Sequence, residues 1–158
     1  MAMSISEQEA LSLLAKPKFC EDADPSDWQV LDSPRGTFSL ELGLVSGEAS
    51  DEGSNINQTV QLHFMRAPTT KLIYLKMSIF LQQKKQPKVR VYQLHITTKS
   101  YDPDNWHEEA HAHIGDSRHP VPEWREWRKF EDVIEYFCKV TNIEFRPQLE
   151  DPEALRLT

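Results

Sequence analysis

Three consecutive segments of this chain alternate apolar and polar residues with a period of two. That period restricts them to strands with one buried face. Residues 60–65 set Val60, Leu62 and Phe64 against Gln61, His63 and Met65. Residues 73–81 set Ile73, Leu75, Met77, Ile79 and Leu81 against Tyr74, Lys76, Ser78 and Phe80. Residues 89–98 are β-branched and read as a third strand. The joins are short: Ala67-Pro68-Thr69-Thr70 and residues 82–87 both read as turns. Strands joined so tightly form an antiparallel meander. Phe38, Leu40 and Leu42 alternate with Ser39, Glu41 and Gly43 and predict a strand before the meander. Residues 20–35 are acidic, carry Pro25 and Pro34, and read as a loop. Residues 46–57 are rich in Gly, Ser, Asp and Glu and read as a mobile connection.

Helices are expected at both ends. Ser4 or Ser6 can cap a short one, with Glu7 and Glu9 in its first turn, Leu11, Leu14 and Ala15 on one side, and Pro17 as its stop. Phe130, Val133, Ile134 and Phe137 recur at helical spacing and predict an amphipathic helix over residues 127–140. The fold expected is α+β: an antiparallel sheet of about five strands packed with an N-terminal and a C-terminal helix. Residues 1–146 are expected to form one domain, with residues 147–158 as an acidic tail. No apolar run approaches the ~20 residues of a membrane span. Cys20 and Cys138 read as free thiols, and the expected location is the cytoplasm.

Charge is segregated along the chain. Residues 58–99 hold eight basic residues and no Asp or Glu, although the whole chain carries a net charge of −7. The acidic excess lies at the two ends, which suggests that a central basic surface meets an anion. Lys84, Lys85 and Lys88 bracket a turn, where they keep a hairpin soluble. Lys76 is more telling, because it interrupts an apolar strand. Tyr74, Lys76, Arg90 and Tyr92 are read as one polar-aromatic patch, suited to single-stranded nucleic acid.

Residues 106–119 hold the histidines, and two readings compete. As a helix, His107-Glu108-x-x-His111 matches a zinc-hydrolase pattern, with His119 as a further ligand. As a strand, Ala110, Ala112 and Ile114 face the core, while Glu109, His111 and His113 face the other way. The strand is preferred for its clean alternation. Its two histidines are then candidate acid and base on an exposed sheet face, needing no cofactor. On such a face they are about as often only solvated polar residues as functional ones.

The order of these features resembles an uncharacterised family of small bacterial proteins. The resemblance rests on Ser6-Glu7-Gln8-Glu9-Ala10-Leu11, on His111-Ala112-His113-Ile114, on Pro120-Val121-Pro122, and on the aromatic helix closing at Thr141-Asn142-Ile143. That family is distantly similar to toxins of the TumE type from toxin–antitoxin pairs. The resemblance implies an α+β domain acting on RNA, with an antitoxin as a protein partner. The leading expectation is thus RNA binding, or RNA cleavage by His111 and His113 without a metal. The alternatives are an acidic protein-binding module or inhibitor, and the zinc hydrolase.

Overall fold

The computed structural model describes residues 5–21, 28–32, 35–66, 72–97, 110–124 and 129–155. Helix α1 spans Glu7–Ala15 and is followed by strands β1 (Lys18–Cys20), β2 (Gln29–Asp32), β3 (Arg35–Ser46), β4 (Asn55–Arg66), β5 (Ile73–Leu81) and β6 (Val89–Thr97). Strands β7 (His111–Ile114) and β8 (Ser117–Pro120), helix α2 (Phe130–Thr141), strand β9 (Ile143–Phe145) and a short helix α3 (Pro152–Leu155) complete the order. The class is α+β. The sheet has nine strands where about five were expected, in the order β8-β7-β6-β5-β4-β3-β1-β9, with β2 beside β3. All pairings are antiparallel except β1 with β9. No described helix is long and apolar enough to cross a membrane.

The expected meander is β4-β5-β6. The added strands are three or four residues long, too short to show a period of their own. Of these, β2 lies in the segment read as a loop, and β1 ends at its first residue, Cys20. They are recruited by β3, whose 12 residues outrun any single partner: its start pairs with β2 and its end with β1. The expected mobile connection at 46–57 is an ordered hairpin turn. Ser46 N–H donates to Ser54 O at 2.9 Å and Gly53 N–H to Ser46 O at 2.8 Å. Gly53 has φ +85°, which a glycine adopts without strain.

One face of the sheet holds the core. Phe38, Leu40, Leu42, Leu62, Phe64, Leu75, Met77, Leu94 and Ile96 are buried there with Phe130, Val133, Ile134 and Phe137 of α2. Each such side chain contributes ~2 kcal/mol by leaving water. Rings of Trp28, Phe38, Phe64 and Phe130 meet edge-on or tilted at 6.2–6.4 Å. Helix α1 begins where Ser6 Oγ accepts from Glu9 N–H at 3.1 Å. It buries Ala10 and Leu14 and leaves Leu11 exposed, so its inner face is turned from the one expected.

Two contacts pin α1 to the β7–β8 hairpin. Asp116 accepts from Glu7 N–H at 3.1 Å, and His119 pairs with the Glu7 carboxylate. Gly115, at φ +58°, makes this approach possible: a Cβ there would stand 2.4 Å from the carbonyl oxygen of Ser6. At the other end of α1, Lys18 donates to the carbonyls of Leu13, Leu14 and Lys16, and burial lowers its pKa to about 8. Residues 147–155, expected as a tail, pack back on the domain: Leu149 is buried, and Arg66 grips Glu153 through bonds of 2.7 and 2.9 Å.

Candidate functional site

The second face of the sheet gathers the polar phase of β4 to β8. His63, Lys76, His95 and His111 stand in register across four adjacent strands. The next row is Gln61, Ser78, Gln93, His113 and Arg118. Strands β4 to β8 contain no Asp or Glu. The nearest carboxylate across the register is Glu41 on β3, which is held by Lys88 at 3.1 Å and by the Gln61 amide at 3.1 Å.

Register thus brings Lys76 and Tyr74 onto one face with His111 and His113. Arg90 joins them because it pairs with Phe80, itself in phase with Tyr74, Lys76 and Ser78. Tyr92 does not. The β5–β6 register shifts between Ile79 and Phe80, so Ile79 faces Tyr92, Phe80 faces Arg90, and Val91 is the extra residue. One extra residue reverses the phase of all that follow it. Tyr92 therefore lies in the core, with its ring 5.8 Å from that of Phe137. Burial raises its hydroxyl far above the ordinary range. The bulge also turns Gln93, His95 and Thr97 onto the polar face.

The imidazoles form a chain. His95 and His111 rings lie 5.1 Å apart and His111 and His113 rings 4.9 Å apart, each pair edge to face. The Arg118 guanidinium donates to His111 Nδ1 at 3.3 Å, which leaves the ring proton of the neutral imidazole on Nε2. His111 is buried, whereas an exposed histidine pair was expected. Burial lowers His95 to about 4, with His111, Lys76 and Arg118 adding repulsion. Burial also lowers His113 to about 4, followed by Arg90 and His111. Burial and Lys76 depress His63 as well, against an opposing pull from Glu41. At neutral pH His63, His95 and His113 are thus uncharged, and the positive charge of the face resides in Lys76, Arg90 and Arg118. Arg90 is half-buried, its Nε has no hydrogen-bond partner among the described residues, and desolvation lowers its pKa.

The zinc-hydrolase arrangement is not assembled. It needs His111 on a helix, and His111 begins a strand. His119 pairs with Ala112, on the opposite phase from His111, and is engaged by Glu7 of α1. His107 and Glu108 lie outside the described residues, as does Glu109. Among the described residues no group of three His, Cys, Asp or Glu side chains could hold a metal ion. Cys20 and Cys138 form no disulfide among the described residues, and burial pushes the Cys138 thiol up to about 12.

Four members of this face escaped the sequence reading: Thr37, His63, His95 and Arg118. His63 was visible as the polar phase of its strand, and a fixed pairing of 63 with 76 would have singled it out. His95 was hidden by the bulge and Arg118 by the shortness of β8. Of the basic residues in the acid-free stretch, Arg66 and Lys88 are neutralised by Glu153 and Glu41. In comparison with known proteins, no family model, curated protein or solved structure matches this chain.

Proposed function

We propose that the polar face of the sheet binds single-stranded RNA. The observation that carries this reading is the cross-strand row His63–Lys76–His95–His111, flanked by Arg90 and Arg118 on strands without a carboxylate. Lys76 is exposed and has no ion-pair partner among the described residues. Such cations suit a phosphate backbone. Tyr74 and Phe80, half-buried on the same face of β5, supply rings on which bases stack. Neutral imidazoles add hydrogen-bonding edges without the self-repulsion that further charges would bring.

The same surface offers a chemical step. His113, unprotonated at neutral pH, can accept the 2′-hydroxyl proton as that oxygen attacks phosphorus. His111 can steady the departing 5′-oxygen with its Nε2–H, and water or the protonated His113 supplies the proton that oxygen takes. Lys76, Arg90 or Arg118 can offset the charge of the phosphorane. The two functions separate experimentally. Fluorescence anisotropy on a single-stranded RNA should show that Lys76→Ala with Arg118→Ala weakens binding at least ~10-fold. The slope of log affinity against log salt should flatten by about 1.4. A wild-type protein that ignores RNA at low salt but captures a stoichiometric protein partner overturns the reading in favour of a protein-binding module. Cleavage that survives His111→Ala with His113→Ala removes the chemical step and leaves the binding surface standing.

A further inference from the structure

We propose that a depression on this face, between the row Thr37–Met65–Tyr74 and the row His63–Lys76–His95, receives one nucleobase, with the adjoining phosphate on Lys76. The inference rests on the RNA-binding reading and adds to it the subsite at which a base is read. The cavity measures about 290 Å³, and those six side chains line it. Its geometry follows from register, since Met65 pairs with Tyr74 and His63 with Lys76, while Lys76 pairs in turn with His95.

Three properties point to a flat heterocycle beside an anion. The walls are planar or polarisable: Tyr74, His63 and His95 carry rings, and Met65 carries a soft thioether. Both imidazoles are depressed in pKa by burial and by Lys76, so at neutral pH they meet a base as uncharged faces. Second, Thr37 lines the cavity, and its buried hydroxyl has no hydrogen-bond partner among the described residues. A buried orphan hydroxyl is unfavourable, and rotation of the Thr37 side chain towards the cavity would give it the donor and acceptor edge of a base as a partner. Third, Lys76 is the exposed cation at the rim, placed for the phosphate that any nucleotide carries next to its base. A fatty acid or an aliphatic carboxylate would satisfy Lys76 but would leave the rings unstacked and Thr37 unpaired.

The test uses the whole protein, with each ribonucleoside 5′-monophosphate and each homopolymeric RNA as probes. NMR should show amide shifts at Thr37, Met65 and Tyr74 on adding at least one monophosphate. Tyr74→Leu should weaken RNA binding ~10-fold through lost stacking. Thr37→Val keeps the shape of the side chain and removes the hydroxyl. It should weaken binding of the preferred homopolymer ~5-fold and narrow the differences between homopolymers, and Thr37→Ser should restore them. If RNA binds but Tyr74→Leu and Thr37→Val bind every homopolymer like wild type, the pocket proposal is overturned and the RNA-binding surface survives. If a monophosphate shifts these amides while no RNA binds, the pocket stands and the RNA reading falls. If no probe binds, both fall.

Discussion

The two faces of the central strands obey different rules. The covered face is apolar and interlocked with α2, and among the described residues it is where burial of side chains stabilises the fold. The polar face also buries groups, among them His111, Ser78 and Thr97, yet it draws together cations and imidazoles with no carboxylate on β4 to β8. Like charges gathered in that way weaken a fold and are tolerated where a ligand of opposite charge is to be held. The difference teaches that the acid-free stretch was two things at once. Part of it is ordinary solvation of a hairpin turn and of sheet ends, matched by Glu41 and Glu153. The remainder is a surface.

Four experiments break or sharpen this contrast, in falling order of effect. Phe137→Ala empties a fully buried site beside Tyr92 and should cost about 4 kcal/mol in chemical denaturation. Gly115→Ala should cost about 3 kcal/mol, because the new methyl group meets the Ser6 carbonyl and the backbone is strained at φ +58°. A loss below about 1 kcal/mol would show that α1 is not held at the β7–β8 turn.

The polar face should announce itself through pH. His95 sits near 4 in the fold and at 6.5 when unfolded. Stability is therefore intact above about 6.5 and falls as pH drops towards 4, where the unfolded chain takes up a proton that the fold refuses. After allowance for partial exposure the loss is on the order of 2 kcal/mol. His95→Gln should remove that part of the pH profile; an unchanged profile would mean that this imidazole is solvated. Smallest of all, Lys88→Ala breaks an exposed pair with Glu41 and should move stability by no more than about 0.5 kcal/mol. Its RNA affinity should stay within about 3-fold of wild type, in contrast to Lys76→Ala.

Much of the covered face was legible in the sequence. The alternation at Val60, Leu62 and Phe64 and at Ile73, Leu75, Met77 and Ile79 is a local property. It is written by a strand's period of two whatever the strand pairs with. The same holds for Phe130, Val133, Ile134 and Phe137 on α2, and for the choice of strand over helix at His111–Ile114. For the polar face, the sequence put Tyr74 and Lys76 in phase with each other on β5, and His111 with His113 on β7. It could not bring the two sets together. That depended on which residue of one strand lies opposite which of the next, and pairing joins positions distant in the chain. The bulge at Val91 is the sharpest case: one residue sent Tyr92 into the core and turned His95 outward beside Lys76. Short strands such as β8 exist only because a longer neighbour offers hydrogen bonds, so Arg118 too was placed by tertiary structure. Composition and periodicity determined the core and an acid-free centre. Register alone decided that part of this centre joins Thr37, His111, His113 and Arg118 in one face of three cations and four histidines.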